Sequence, residues 1–137
     1  ARRALIFQPY HDAIAAALDA RAAAGRSTVL ISLHSFTPVM RAIARPWTHG
    51  VLHDGNSPFS TRVLALLRAR FGDEAIGDNE PYALSPKTDF SVPFHAIARG
   101  LDYLEIEIRQ DLIAQPEGQA EAAALLTEVL PGALAEL

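Results

Sequence analysis

His34 is the first residue of this sequence whose type and position suggest chemistry. It follows the strongly apolar segment Thr28–Leu33, which the run of β-branched and apolar residues predicts to be a strand buried on both faces. A neutral imidazole at the mouth of such a strand can coordinate a metal while Ser35 and backbone groups fix its ring. The alternative is a histidine satisfied by ordinary hydrogen bonds, and spacing alone does not decide between the two.

Two glutamates alternate with apolar residues in the segment Tyr103–Ile108. The alternation predicts a strand with Glu105 and Glu107 on one face. On a solvated face these carboxylates are ordinary, whereas on a covered face they need a metal, Arg109 or a substrate as a partner. Glu107 lies nearer the carboxyl end of the strand and is our candidate for the general base and acid of a metal-assisted hydrolysis. The alternative role is a structural ion pair with Arg109 or Arg45.

Arg45 is a candidate for contact with a substrate, and the segments around Asn79 and His95 carry further polar groups. Arg45 precedes a proline and a tryptophan, and a guanidinium held in this way can grip a carboxylate at two points. The alternative is a solvated surface arginine. Asn79 lies in the segment Asp78–Tyr82, which also has the composition of a polar turn. His95 lies on a predicted short helix beside Phe94, where it could equally be a histidine at the edge of the core.

Predicted helices and strands alternate along the chain and place these residues. The helices are His11–Ala24, Phe59–Arg70, Pro93–Arg99 and Glu117–Leu137, the last bent or broken at Pro131-Gly132, and the strands are Thr28–Leu33, Val51–Leu52, Ala75–Ile76 and Tyr103–Ile108. This alternation favours an α/β fold with a largely parallel sheet covered by helices. Such sheets bind ligands beyond the carboxyl ends of their strands. The segments containing His34, Asn79 and Arg109 all follow predicted strands.

Length and composition limit the classes of function. The chain has 137 residues, of which 50% are hydrophobic and 20% charged, so residues 1–137 are expected to form one domain. A formal charge of -4 without a basic stripe argues against nucleic acid as a partner. No apolar run approaches the roughly 20 residues that cross a membrane, and no signal peptide is recognised. The absence of cysteine leaves His, Asp and Glu as metal ligands and fits a cytoplasmic protein.

Five blocks of the sequence resemble the N-formylglutamate amidohydrolase family in their order and spacing. They are Ser32–Pro38, Arg45–Trp47, Gly77–Tyr82, His95–Gly100 and Glu105–Ile113. The resemblance covers nearly the whole chain from Pro9-Tyr10-His11 to the final helix, and the family is similar to the zinc carboxypeptidases. It implies a three-layer α/β/α sandwich around a mixed, largely parallel sheet. It also implies hydrolysis of a small N-acyl amino acid, such as N-formylglutamate to formate and glutamate.

The resemblance further implies roles for individual residues. His34 would be a zinc ligand, and Glu107 would be the general base and acid. His95 would orient the substrate or stabilise the developing oxyanion. The remaining candidates would bind the substrate, and they are Arg45, Asn79, Arg109 and Ser35.

The sequence departs from the family in one respect that bears on activity. Family members are usually longer and carry an upstream Asp-His-Ala block that resembles the source of the other zinc ligands, and this block is missing here. Because a catalytic zinc normally holds three protein ligands, we expect a truncated piece that binds zinc poorly and is inactive by itself. One alternative is a non-catalytic domain that binds a dicarboxylate through Arg45, Asn79 and Arg109. Another is an oligomerising fragment that forms a homodimer to cover an exposed apolar strand edge or helix face.

Overall fold

Four strands form one mixed sheet in the computed structural model, which describes residues 1–137. The strands of the chain are β1 (Val29–Phe36), β2 (Val39–Met40), β3 (Ile43–Ala44), β4 (His49–Leu52), β5 (Ile76–Asp78) and β6 (Asp102–Arg109). The sheet has the order β1-β6-β4-β5, while β2 and β3 form a separate antiparallel pair. The β1-β6 and β4-β5 pairings are parallel, and the β4-β6 pairing is antiparallel. The predicted α/β fold with a mixed, largely parallel sheet is confirmed.

Three α-helices accompany the sheet: α1 (Gln8–Ala23), α2 (Pro58–Phe71) and α3 (Pro116–Ala135). Short π-helical or 3-10 turns occupy Arg3–Phe7, Asp73–Ala75, Val92–Ala96, Ile97–Arg99 and Gln110–Ile113. The turns over Val92–Arg99 match the predicted short helix, and Gly100 ends it in the left-handed conformation, with φ of 65°. None of the helices combines the length and apolar character that crossing a membrane requires.

The last helix corrects one prediction. We expected a bend or break at Pro131-Gly132, but α3 runs without interruption to Ala135. A proline removes one backbone hydrogen bond and crowds the preceding turn. Here Val129 and Ala133, on the two sides of the proline, are both buried in the core, and this packing offsets the lost hydrogen bond.

The two faces of the sheet carry separate apolar clusters. On one face, α2 and α3 pack against β4 and β6 around a cluster that includes Val51, Leu67, Ile106 and Leu125. The opposite face carries a smaller cluster composed of Leu52, Leu84, Val92, Ala96 and Tyr103. Helix α1 reaches this second face through contacts between His11 and His95. The sheet therefore lies between two layers of helical structure.

Strand β1 corrects a second prediction. Its apolar sequence predicted a strand buried on both faces, yet Ile31 is 43% exposed and Leu33 is 58% exposed. The reason is topological, because β1 pairs only with β6 and forms an edge of the sheet. An apolar sequence indicates that a strand can be buried, but the burial itself requires other segments to pack against the strand.

Candidate functional site

Glu105 and Glu107 lie on the face of β6 opposite to Leu104 and Ile106, as the alternation predicted. Both carboxylates are buried, with Glu105 4% exposed and Glu107 1% exposed. The interpretation of an ordinary solvated face is therefore wrong. Two acidic side chains in such an environment need compensation, because removing a carboxylate from water is costly unless it is paired or protonated.

The register of the sheet brings His34 next to Glu107. The two residues are direct partners in the parallel pairing of β1 with β6, and Ser32 is the partner of Glu105. Side chains in register on adjacent strands project to the same face, so these four side chains form one group. The Nε2 atom of His34 lies 2.8 Å from Ser32 Oγ. The other ring nitrogen, Nδ1, makes no hydrogen bond and is available to a ligand.

Ser35 does not join this group. Side chains alternate along a strand, so Ser35 projects from the opposite face of β1 and lines a cavity of about 570 Å³ with Leu33, Ile108 and residues of α3. Its hydroxyl is therefore separated from Glu107 by the sheet. The residue that orients the His34 ring is Ser32, two positions earlier on the same face.

The loop after β5 folds closely over β4. A Cβ atom at Gly50 would lie 2.0 Å from the carbonyl oxygen of Glu80, and one at Gly77 would lie 2.7 Å from Glu80 Cβ. Only glycine permits this approach of the backbone. The approach carries Tyr82 to the buried face, where its hydroxyl donates a hydrogen bond to Glu107 Oε1. Burial and the contact with Glu107 raise the pKa of the Tyr82 phenol well above its usual range.

The second carboxylate oxygen of Glu107 is, with His95 Nδ1, one of two buried side-chain atoms on this face that lack a partner. Glu107 Oε2 is buried and has no hydrogen-bond partner. Buried polar atoms of native proteins nearly always have a partner, so this oxygen points to a proton, a water or a cation supplied in the functional state. The neighbouring Glu105 is compensated differently, because burial and the carboxylates of Asp89 and Glu107 raise its pKa to about 7.

Arg109 has structural partners and is not paired with Glu107. Its Nε and Nη2 atoms donate to the two carboxylate oxygens of Asp111, at 2.8 and 3.2 Å. Its Nη1 atom lies 3.3 to 3.5 Å from the carbonyl oxygens of Arg45, Pro46 and Trp47. Arg109 therefore holds the segment that connects β3 to β4, and its guanidinium is largely occupied.

Arg45 retains more donor capacity. Its Nη1 atom donates to the carbonyl and the hydroxyl oxygens of Thr37, at 3.4 and 3.3 Å. The guanidinium also lies over the ring of Phe36, with the central carbon 5.8 Å from the ring centroid. Neither Nε nor Nη2 makes a hydrogen bond, so the half-buried side chain keeps donors for a carboxylate ligand.

Asn79 stabilises the loop through its side-chain oxygen, Oδ1. The residue has a left-handed backbone conformation, with φ of 55°, which asparagine tolerates better than most residues. Its Oδ1 atom accepts hydrogen bonds from the backbone nitrogens of His53 and Leu84, at 2.8 and 3.5 Å. The predicted turn is thus present, and the Nδ2 donor is left without a hydrogen bond.

His95 is fully buried and pairs with a second histidine. Its Nε2 atom lies 2.8 Å from Nδ1 of His11, and its own Nδ1 has no partner. Burial, followed by His11 and Arg99, lowers the pKa of His95. Phenylalanine rings surround the pair, with Phe90 and Phe94 both within ring-contact distance of His95. These contacts match the alternative of a core histidine and join α1 to the turn that carries His95.

Comparison with known proteins identifies the family. A family model described as N-formylglutamate amidohydrolase matches residues 1–114. The chain belongs to the N-formylglutamate amidohydrolase family. The crystal structure of gene product Atu2144 from Agrobacterium tumefaciens matches with a TM-score of 0.86 and 34% sequence identity, covering 98% of this chain and 53% of that chain. The present chain thus spans about half the length of that protein. No curated protein matches it.

His34 and Glu107 are the residues of this face that could contribute to a metal site. No three His, Cys, Asp or Glu side chains lie close enough together to hold a metal ion. The donor set therefore consists of a single oriented imidazole, His34, beside the buried carboxylate of Glu107. That set fits part of a catalytic zinc site, which normally has three protein ligands and an open position.

Two residues of this face were absent from the sequence-based site. Tyr82 contacts Glu107 across 25 residues, and His11 contacts His95 across 84 residues. Both lie in segments that resembled the family, namely Gly77–Tyr82 and Pro9-Tyr10-His11. No local spacing connects either residue to its partner, so only the family resemblance could have directed attention to them.

Proposed function

We propose that this chain supplies one side of the active site of an amidohydrolase that cleaves an N-acyl amino acid such as N-formylglutamate. The observation that supports this most strongly is the register of His34 with Glu107, whose Oε2 atom is buried without a partner. Membership of the N-formylglutamate amidohydrolase family favours a linear amide as the bond that is broken. The cysteine-free composition is compatible with action in the reducing cytoplasm.

Glu107 is the proton carrier of the proposed reaction. Its Oε2 atom accepts a proton from water as the water oxygen attacks the acyl carbon. The same proton then passes to the amine nitrogen when the carbon–nitrogen bond breaks, which yields the free acid and the amino acid. One carboxylate thus serves first as the base and then as the acid. The burial of Glu107 limits competing contact with bulk water.

Zinc is the cofactor that we propose, with His34 as one ligand through Nδ1. The hydrogen bond between Ser32 and His34 Nε2 would hold the ring in the orientation that coordination needs. When bound, zinc polarises an acyl carbonyl and lowers the pKa of a water toward about 7. The other ligands would have to come from outside residues 1–137. We therefore expect these residues alone to bind zinc weakly and to show no turnover.

Arg45 and Asn79 are the proposed contacts for the substrate's carboxylates, because each keeps unused nitrogen donors. Arg109 would act on the substrate indirectly, by holding the Arg45–Trp47 segment in place. The same donors also support the second candidate function, a domain that binds a dicarboxylate without metal. Calorimetric titrations with glutamate and with zinc, each alone, separate these possibilities, since only the second predicts tight glutamate binding in the absence of metal.

The proposed function is tested on the protein isolated from its natural source, by intact mass, metal content and formate release. Glu107→Gln should lower kcat by about 100-fold or more, the range that a general base contributes. Glu117→Gln changes an exposed carboxylate at the start of α3 and should leave kcat unchanged. Full activity of the Glu107→Gln variant would exclude the proposed role, and chelator-resistant activity would exclude zinc.

A further inference from the structure

Tyr82 makes the one hydrogen bond that the carboxylate of Glu107 receives. The tyrosine is 42% exposed, yet its hydroxyl reaches a carboxylate that is 1% exposed. The phenol contacts Oε1, while Oε2 remains without a partner. The two oxygens of the carboxylate are thus made different by this single contact.

The backbone that carries Tyr82 is held by the sheet. The amide nitrogen of Asn79 donates to the carbonyl oxygen of Val51 at 2.9 Å, and Asn79 Oδ1 accepts from the backbone of His53. Glu80 packs directly on Gly50 and Gly77. These contacts precede Tyr82 by only a few residues, so β4 and β5 fix the backbone from which the Tyr82 side chain reaches Glu107.

We propose that Tyr82 is a positioning residue, whose hydroxyl holds Oε1 of Glu107 so that Oε2 is presented to the reacting atoms. This inference rests on the proposed function of Glu107 as the proton carrier. A phenol that donates to a carboxylate forms a charge-assisted hydrogen bond, which is stronger and more directional than a neutral one. Without it, a buried carboxylate with two unpaired oxygens is free to rotate, and a small misplacement of a catalytic group is costly in rate.

Tyr103 provides a matched comparison within the same chain. Its hydroxyl also donates to a carboxylate, but to that of Asp54 and not to that of Glu107. Tyr103→Phe therefore removes a phenol–carboxylate hydrogen bond of the same kind at a different carboxylate. Tyr82→Phe keeps the ring and removes only the hydroxyl, so loop packing should be retained.

The first test uses nuclear magnetic resonance on the 137-residue chain at constant neutral pH. Tyr82→Phe should move the carboxyl carbon resonance of Glu107, whereas Tyr103→Phe should move that of Asp54 and leave that of Glu107 in place. A Glu107 resonance that is unaffected by Tyr82→Phe would overturn the proposal. A single cooperative unfolding transition well above the measurement temperature in each variant checks that the fold is kept.

The second test uses formate release by the protein isolated from its natural source and by its variants. Tyr82→Phe should lower kcat by roughly 10- to 100-fold, as expected for a displaced catalytic group, and leave KM within about twofold. A distorted active site would change both constants, and the thermal unfolding transition excludes a partly unfolded preparation. Unchanged kcat in Tyr82→Phe, together with an inactive Glu107→Gln variant, overturns the role of Tyr82 alone. An active Glu107→Gln variant overturns the proposed function itself.

Discussion

Replacing Glu105 with glutamine should change the pH dependence of folding stability. Burial, with help from Asp89 and Glu107, raises the pKa of the Glu105 carboxyl from 4.5 to about 7. The folded state therefore keeps a proton that the unfolded state releases. The contribution of Glu105 to stability is fully present below pH 4.5 and is lost as the pH rises through about 7.

His49 has the opposite effect on the other side of the sheet. Its burial, together with Arg109, lowers its pKa from 6.5 to about 4. The unfolded state then binds the extra proton, so the contribution of His49 is fully present above pH 6.5 and is lost as the pH falls through about 4. Both pKa values move by about 2.5 (7 − 4.5 and 6.5 − 4). At about 1.4 kcal/mol per pKa unit, each group changes the free energy of unfolding by about 3 kcal/mol across its window.

These two slopes oppose each other between pH 4.5 and 6.5, and buried His95, whose pKa is also lowered, adds to the slope of His49. Relative to the unmodified chain, Glu105→Gln should therefore make the free energy of unfolding rise more steeply with pH, by about 3 kcal/mol across its window. His49→Gln should make it rise less steeply, by a similar amount. The two substitutions thus change the curve in opposite directions.

Urea unfolding followed by the fluorescence of Trp47, the single tryptophan, measures these curves at closely spaced pH values. Glu117→Gln serves as the control, because this exposed carboxylate should leave the curve unchanged. If the Glu105→Gln curve runs parallel to that of the unmodified chain, burial does not hold a proton on Glu105 and the reasoning is refuted.

Three further predictions concern the loop, the metal and the sheet edge. Gly50→Ala places a Cβ atom 2.0 Å from the Glu80 carbonyl oxygen and should destabilise the chain by about 1–3 kcal/mol in denaturant unfolding. Gly132→Ala, whose Cβ atom would meet only Leu66 Cδ1 at 3.6 Å, provides the uncrowded comparison. His34→Asn should abolish the weak zinc binding that calorimetry measures for the chain. Ser32→Ala should weaken this binding by about 10- to 100-fold, as for other residues that orient a metal ligand. Equal zinc affinity of the unmodified chain and both variants would exclude His34 as a ligand. Because the edge strand β1 is exposed, we expect light scattering to show a homodimer at moderate concentration. Leu33→Glu should convert this dimer to a monomer. If the unmodified chain is a monomer at every concentration, the prediction is wrong.

Local patterns in the sequence were sufficient for several features of the site. The alternation in Tyr103–Ile108 correctly predicted that Glu105 and Glu107 share a face, because side-chain direction in a strand is set by the backbone itself. Gly100 ends the short helix as predicted, since its left-handed conformation is a property of that one residue. The family resemblance predicted the mixed sheet and is confirmed by the match over residues 1–114.

The tertiary structure decided which groups meet. Tyr82 reaches Glu107, and His11 reaches His95, only because the chain folds back over 25 and 84 residues, and periodicity carries no information over such separations. The exposure of Leu33 was likewise decided by strand order, since an apolar strand becomes buried only where another segment covers it. Sequence determined the direction of each side chain along its own strand or helix, through local backbone geometry. Packing between distant segments then determined which side chains became partners, because contact energies depend on proximity in space.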